Sequence, residues 1–134
     1  MIEYTARLDG IEARHLKGFF VGWPSPPSPE RHLELLRGSA AVELARDGED
    51  GRVVGFVTAV GDGVLSAYIP LLEVLPEYQS RGIGSELVRR LLARLENLYM
   101  VDLCCDAELE PFYRRLGFRT LDRGMGIRNH EALA

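Results

Sequence analysis

The residues with the clearest chemical meaning form the turn Gln79-Ser-Arg-Gly82-Ile-Gly84, between an apolar run and a long amphipathic segment. Glycine has no side chain, so Gly82 and Gly84 allow the backbone to come close to a ligand. The first turn of a helix leaves N–H groups unpaired and carries the positive end of the helix dipole. Arg81 adds a charge and Ser85 a hydroxyl. The spacing therefore predicts a site for a phosphate or pyrophosphate group.

Three known phosphate-binding patterns compete for this turn. A Walker-type loop requires Gly-Lys-Ser/Thr, and the lysine is absent. A dinucleotide fingerprint requires a third glycine at the position that Leu87 occupies. The pattern Gln/Arg-x-x-Gly-x-Gly/Ala is matched in full from Gln79 to Gly84. A structural alternative stays open, in which the two glycines only ease a strand-to-helix turn.

The composition limits the class of protein. The chain has 134 residues, a formal net charge of −4 and 46% hydrophobic residues, which predicts one globular domain over residues 1–134. The acidic balance argues against a nucleic acid or an anionic membrane as the main partner. No signal peptide and no apolar window of about 18 residues is present, so we expect a cytoplasmic protein without a membrane partner.

Cysteine and lysine usage excludes several chemistries. Cys104 and Cys105 are the only cysteines and are adjacent, which argues against a disulfide framework and against a zinc site, so no metal is expected. We expect both to be small buried side chains. Lys17 is the only lysine among sixteen basic residues, and nothing around it indicates Schiff-base chemistry.

Hydrophobic periodicity and turn residues predict a mixed α/β (α+β) domain. Strands are expected over residues 2–8, 40–46, 52–60, 64–75, 99–105, 118–122 and 125–128. Helices are expected over residues 11–21, from about residue 28, over 83–95 and over 108–116. The proline-rich stretch over residues 22–29 is expected to be an ordered loop or lid.

Two motifs resemble the GNAT superfamily, the acetyl-CoA-dependent N-acetyltransferases. The run Leu72-Glu-Val-Leu-Pro-Glu-Tyr-Gln79 resembles the strand and lead-in to that family's glycine turn, and Phe112-Tyr113-Arg-Arg-Leu-Gly117-Phe118 resembles its Phe-Tyr-x-x-x-Gly-Phe signature. The element order agrees over essentially the whole chain. The resemblance implies a central mixed, mostly antiparallel sheet of about seven strands with about four flanking helices, splayed between the fourth and fifth strands.

The resemblance also implies acetyl-CoA as co-substrate and assigns residues to it. The pantetheine arm would pair with free backbone groups of Leu72, Glu73 and Val74. The pyrophosphate would lie on the N–H groups of the turn, with Gln79 shaping it: Arg81, Gly82, Ile83, Gly84 and Ser85. Asp106 stands where the family often carries an asparagine, and because an ionised aspartate can only accept hydrogen bonds, the contact to pantetheine is in doubt there.

The implied reaction is attack of a neutral amine on a thioester. The N–H of Leu72 would stabilise the oxyanion, and Tyr113 would protonate the departing thiolate; alternatively, Tyr113 only packs against the pantetheine or sulfur. Glu73 is the candidate base that takes the amine's proton, directly or through water, and a structural partner for an arginine is its alternative role.

Two function classes remain open. The first is an N-acetyltransferase acting on a primary amine of a small molecule or peptide, and the clustered acidic residues favour a cationic amine. The second is a non-catalytic acyl-CoA-binding or sensory module with the same fold. Phe19, Phe20 and Trp23 are either core residues or the wall of an acceptor pocket. His15, His32 and His130 are expected at the surface or at helix caps, and a homodimer is a further expectation.

Overall fold

The computed structural model describes residues 1–133 and contains one five-stranded sheet. In spatial and sequence order the strands are β1 (Ile2–Thr5), β2 (Ala41–Asp47), β3 (Val53–Gly61), β4 (Ser66–Val74) and β5 (Met100–Asp102). Strands β1 to β4 pair antiparallel with one another in this order, and β5 pairs with β4 in the parallel direction. The helices are α1 (Pro29–Gly38), α2 (Ile83–Arg94) and α3 (Glu110–Arg114). Single 3-10 turns cover Ala13–Leu16, Pro76–Tyr78, Ala107–Leu109 and His130–Leu133.

The core lies between the middle of the sheet and α2. Strands β2 and β3 are buried over most of their length, so both faces of the sheet are covered there. The apolar stripe of α2 packs on β3 at Gly55, where an added Cβ would lie 3.1 Å from a methyl group of Leu87. A Cβ at this position would require Leu87 to move by a few tenths of an ångström, so glycine favours this close approach of helix and strand. The packing therefore fixes the beginning of α2 against the sheet.

Local chemistry explains α1 and the turns between strands. The hydroxyl of Ser28 accepts a hydrogen bond of 3.1 Å from the N–H of Arg31, and Pro29 occupies the first helical position. Both features are typical of a helix N-terminus. The carboxylate of Asp62 accepts backbone N–H groups of the turn between β3 and β4, and these bonds lower its pKa to about 2.

Strand β4 is irregular and is open on one side over much of its length. Between its pairs with Val60 and Thr58 of β3, it carries one residue more than β3 does, which is a β-bulge at Ile69 and Pro70. Strand β5 pairs only with the first three residues of β4. Within residues 1–133, the part of β4 from Ile69 to Val74 has no strand on that side. The fourth and fifth strands are therefore splayed.

The mixed α/β class is confirmed, but the count of seven strands and four helices is wrong: the described residues hold five strands and three α-helices. The helix predicted over 11–21 is a single 3-10 turn, because the chain has left-handed backbone at Gly18 (φ +95°) and Phe20 (φ 64°). The strands predicted over 118–122 and 125–128 are absent, because that segment finds no pairing partner within residues 1–133.

Two expectations about burial are also wrong. Cys104 and Cys105 are exposed rather than buried, because β5 ends at Asp102 and the chain beyond it lies at the surface. His32 is 1% exposed, although we expected it at the surface. It lies on the inner face of α1 with Leu33 and Leu36.

Candidate active site

The turn that precedes α2 directs a run of backbone N–H groups towards open space. Ser80 (φ 64°) and Gly82 (φ 81°) both have left-handed backbone, which curls the chain between them. The first helical hydrogen bond runs from the N–H of Glu86 to the carbonyl of Gly82. Among residues 1–133, the N–H groups of residues 80–85 donate to no acceptor. Unpaired donors at a helix N-terminus are the arrangement that favours binding of an anion.

Side chains hold this turn in position. The Gln79 amide donates a 2.9 Å hydrogen bond to the carbonyl of Val74, which ties the turn to the end of β4. The guanidinium of Arg81 lies over the ring of Tyr78, with 5.0 Å from Cζ to the ring centroid, and donates to the carbonyl of Glu77. The Arg81 charge therefore stays beside the unpaired N–H groups, where an anion gains most from it.

The open edge of β4 lies next to this turn. The N–H of Leu75 donates to the carbonyl of Val54 in β3. Because backbone groups alternate in direction along an antiparallel strand, those of Glu73 also face β3, and those of Leu72 and Val74 face away from it. Leu72 and the N–H of Val74 thus present free groups for the pantetheine assignment, whereas the carbonyl of Val74 already accepts the Gln79 amide and the backbone of Glu73 faces β3.

The Phe-Tyr motif meets the glycine turn through one contact. A Cβ added at Gly84 would lie 3.5 Å from the ring of Phe112 and 3.8 Å from a methyl group of Val74. The beginning of α2, the ring of Phe112 from α3 and the end of β4 therefore lie within van der Waals reach of one another around Gly84. The glycine turn and the Phe-Tyr motif, which together carry the family resemblance, are therefore in contact in the structure.

Tyr113 follows Phe112 and is half-buried between the rings of Phe112 and Phe118, at centroid distances of 4.9 Å and 5.6 Å. Burial, with a smaller contribution from the nearby Cys105 thiol, raises the pKa of Tyr113 to about 12. The phenol is therefore fully protonated at neutral pH. A protonated phenol can act as an acid, which is the role that the sequence motif implies.

The carboxylate of Glu73 is held by a segment far away in sequence. One oxygen accepts a 2.8 Å hydrogen bond from the N–H of Phe20, and the other accepts one of 3.2 Å from the N–H of Val21. Its partner is therefore the backbone of a strained loop rather than an arginine. Nothing in the local sequence indicates this contact, because the two segments are 53 residues apart.

Glu73 lines a cavity of about 470 Å³ at the open side of β4. Its other walls are mostly apolar: Phe20, Val21, Trp23, Phe56, Pro70, Leu71, Leu72, Pro76 and Gln79. A second cavity of about 320 Å³ shares Phe20, Trp23 and Leu71 with the first. Phe20 and Trp23 therefore belong to the cavity wall, and Phe20 is part of the core as well, whereas Phe19 is a core residue that lines neither cavity.

The remaining predicted residues lie at the edge of the site. Asp106 is exposed and begins the 3-10 turn before α3 with no hydrogen bond from its side chain to that turn. Desolvation and the neighbouring carboxylates raise the pKa of the Cys105 thiol. A raised pKa disfavours the thiolate that a nucleophilic cysteine requires.

The residues described here include no helix that is long and apolar enough to cross a membrane. Among residues 1–133, no three His, Cys, Asp or Glu side chains lie close enough together to hold a metal ion.

A bulged, splayed sheet beside a glycine turn at a helix N-terminus is typical of proteins that bind acyl-coenzyme A for N-acyl transfer. The chain belongs to the GNAT family of acetyltransferases: the model described as Acetyltransferase (GNAT) family matches residues 8–118. The unpaired N–H groups, the open edge of β4 and Phe112 all lie in the matched region.

Individual relatives agree with this membership. A candidate acetyltransferase of Deinococcus radiodurans R1 is 48% identical, with a TM-score of 0.93 over 97% of this chain and 90% of that one. A GNAT family acetyltransferase of Streptococcus pneumoniae TIGR4 is 32% identical, with a TM-score of 0.79 over 96% of this chain and 98% of its own.

Among curated proteins, rice serotonin N-acetyltransferase 2, chloroplastic (Oryza sativa subsp. japonica), is 35% identical over 115 residues, which are 81% of this chain and 57% of the relative. The chain spans about half the length of the curated relatives that it matches. Several of those relatives are described as chloroplastic, so a cytoplasmic location stays a prediction for this chain.

Proposed function

We propose that this protein transfers an acetyl group from acetyl-CoA to a primary amine by direct attack, without an acyl-enzyme. The observation that carries the proposal is the run of six unpaired N–H groups over residues 80–85, next to the open edge of β4. A pyrophosphate on the turn places the pantetheine arm along that edge, with Leu72 and Val74 as its backbone partners. The acetyl thioester then lies beside the 470 Å³ cavity.

In the reaction, the nitrogen of the neutral amine forms a C–N bond to the acetyl carbonyl, the C–S bond breaks, and the nitrogen releases its extra proton to solvent to give the amide. The N–H of Leu72, directed away from β3, stabilises the oxyanion that develops. Tyr113 gives its proton to the departing thiolate and regains one from solvent. Its pKa of about 12 keeps the phenol protonated at neutral pH but makes it a weaker acid than an ordinary tyrosine, so the transfer requires the hydroxyl to lie within hydrogen-bond reach of the sulfur.

The attacking amine must first lose a proton, since an alkyl ammonium has a pKa near 10.4. We assign that proton to Glu73, directly or through one water. Each oxygen of the Glu73 carboxylate accepts one backbone N–H, and an ionised carboxylate has about four lone-pair positions. Acceptor capacity therefore remains on the side that lines the cavity.

The cavity favours one class of acceptor. Most of its lining residues are apolar by type and include Phe20, Trp23 and Phe56, and Glu73 is the one carboxylate that lines it among residues 1–133. An amine on an apolar or aromatic body places its ammonium at the carboxylate and its body against the rings. The serotonin N-acetyltransferase of rice, by its name, acts on such an amine. We therefore propose small arylalkylamines before polyamines or peptides.

Acetylation of four different amines tests the proposal. Purified protein is mixed with acetyl-CoA and phenethylamine, ethylamine, spermidine or a peptide with a free N-terminus. Acetylated product is measured by mass spectrometry, because the exposed Cys104 and Cys105 thiols would react with a thiol reagent. We expect kcat/KM at least ten times higher for phenethylamine than for ethylamine. Higher turnover of spermidine or the peptide would overturn the acceptor class, and lack of acetyl-CoA binding in calorimetry would overturn the whole proposal.

The non-catalytic acyl-CoA-binding module remains the second candidate, and one observation favours it. Both oxygens of Glu73 already accept backbone hydrogen bonds, so the carboxylate has a structural role without any reaction. Binding of acetyl-CoA with no acetylated product from any amine would select this candidate.

A further inference from the structure

The second cavity lies beside the first. It has a volume of about 320 Å³ and shares Phe20, Trp23 and Leu71 with the cavity of about 470 Å³ that Glu73 lines. The rings of Phe20 and Trp23 are in edge contact, with 5.0 Å between their centroids. One aromatic wall therefore borders both cavities. Each cavity has the volume of an ordinary small-molecule site, so the two together can hold an acceptor longer than a phenylethyl group.

A pair of opposite charges lines the part of the second cavity that the first does not share. Arg31 and Glu34 lie three positions apart on α1, and both line this cavity. Nε of Arg31 is 3.6 Å from Oε1 of Glu34, which is an ion pair but too long for a hydrogen bond. The pair therefore leaves N–H donors of the guanidinium and lone pairs of the carboxylate available to a ligand.

The other walls of this part are apolar. They are formed by Pro27 of the proline-rich loop, Leu35 of α1 and Leu133 of the last 3-10 turn. Among residues 1–133, Arg31 and Glu34 are the two charged residues that line the second cavity. An apolar space with a few convergent polar groups is the usual form of a small-molecule site, and those groups decide which ligand fits.

The pair selects a chemical group by its charges and its hydrogen bonds. A carboxylate on the ligand would be attracted by Arg31 but repelled by Glu34, and a second ammonium would meet the reverse. A hydroxyl both donates and accepts hydrogen bonds. It can therefore accept one from the guanidinium and donate one to the carboxylate. Hydrogen bonds to charged groups are the stronger ones, so the pair favours a neutral hydroxyl over a charged group.

We propose that the acceptor has two polar ends and occupies both cavities. Its amine lies at Glu73, its apolar or aromatic body lies against Phe20 and Trp23, and a hydroxyl at its far end binds between Arg31 and Glu34. These two residues of α1 determine specificity and touch no reacting atom. Their role rests on the acetyl transfer proposed above and concerns the far end of the same acceptor.

Binding of amines without acetyl-CoA tests the second cavity by itself. Trp23 is the one tryptophan of the chain and lies in the shared wall, so its fluorescence reports a bound amine. The probes are phenethylamine, tyramine, which adds one hydroxyl, and 4-(2-aminoethyl)benzoic acid, which adds a carboxylate instead. Calorimetry with the same amines gives the dissociation constants independently. We expect tyramine to have a dissociation constant about five times lower than phenethylamine, and the benzoic acid to bind no more tightly than phenethylamine.

A double variant, Arg31→Ala with Glu34→Ala, is expected to bind tyramine and phenethylamine equally well. The two side chains are 62% and 77% exposed, so the substitutions leave the fold intact. Arg37→Ala is the control, because Arg37 is an exposed arginine of the same helix that lines neither cavity. This control variant should retain the preference for tyramine.

Two results would overturn the proposal: an unaltered protein that does not prefer tyramine, or a preference for tyramine that the double variant keeps. Acetylated product is measured separately by mass spectrometry. Product from no amine would contradict the acetyl-transfer function, whereas the preference for tyramine in binding decides on the second cavity alone.

Discussion

The carboxylate of Glu73 accepts a 2.8 Å hydrogen bond from the N–H of Phe20. Glu73 belongs to β4, the strand with the open edge, and both Glu73 and Phe20 line the 470 Å³ cavity. In the proposed function, one side chain therefore joins the donor side of the site to the acceptor side. The left-handed backbone of Phe20 (φ 64°) is costly for a non-glycine residue and needs such support.

Glu73→Gln tests this side chain as a base. An amide keeps the size of the carboxylate but cannot take a proton, and its NH2 group cannot accept the second backbone N–H. We expect kcat to fall by about 10²–10⁴, the usual range for a general base, while the dissociation constant for acetyl-CoA changes less than threefold. Steady-state kinetics and calorimetry measure the two effects.

The control for this variant is Glu77→Gln, which alters an exposed carboxylate at 3.7 Å from Arg52 and is expected to leave kcat unchanged. A rise in KM for the amine with kcat retained would show that Glu73 only anchors the loop.

Tyr113→Phe tests the proton donor. Removing the hydroxyl keeps the ring between Phe112 and Phe118, so binding and stability should change little. We expect kcat to fall by about 10²-fold, because the thiolate would leave without a proton. Tyr99→Phe, at an 84% exposed tyrosine, is the matched control. Equal turnover of the two variants would assign Tyr113 to packing alone.

Bulky residues at the glycine turn should weaken acetyl-CoA binding. Gly82 has φ +81° with open space around its Cβ position, so Gly82→Val strains the backbone that orients the N–H groups. A loss of more than tenfold in affinity is expected by calorimetry. Gly82→Asn should retain more affinity, because asparagine tolerates left-handed backbone.

Gly38→Ala is the control for the turn variants, since Gly38 ends α1 with negative φ and has open space around it. Unaltered affinity in Gly82→Val would argue against a phosphate site at the turn.

The buried His32 should make stability depend on pH. Both of its ring nitrogens lack a hydrogen-bond partner among the described residues, and burial lowers the pKa of His32 from 6.5 to about 4. Below pH 6.5 the unfolded chain binds a proton that the folded chain does not. The free energy of unfolding should therefore decline as pH falls from about 6.5 to about 4, by roughly 3 kcal/mol in total.

Urea unfolding of His32→Phe across this pH range measures the contribution. The phenyl ring keeps the edge contacts to Phe19, Phe20 and Phe56, and removal of two unpaired nitrogens should raise stability at neutral pH. The free energy of unfolding of His32→Phe should depend less on pH than that of the unaltered protein. His130→Gln, at an exposed position, should retain the slope of the unaltered protein.

The part of the fold that follows from local chemistry was predictable. The glycine turn depends on the conformational freedom of glycine, and α2 and the central strands depend on the periodicity of their hydrophobic residues. Each of these signals is contained in a short stretch of sequence. The bond between Glu73 and Phe20 has no such signal, because it joins residues 53 positions apart.

The errors have physical causes too. The 11–21 segment has the composition of a short helix, but Gly18 and Phe20 take left-handed backbone so that Phe19 and Phe20 can enter the core. Tertiary packing overrides local preference there. Residues 118–128 have a strand-like composition, but a strand needs a pairing partner, and within residues 1–133 this segment pairs with no strand.

Lys17 ends the first 3-10 turn and is exposed. Every other basic side chain is an arginine, whose guanidinium stays protonated and is a poor nucleophile. A thioester donor, as in the proposed function, also acylates free amines without catalysis. Lys17 is then the one lysine side chain of this protein that such a donor could modify.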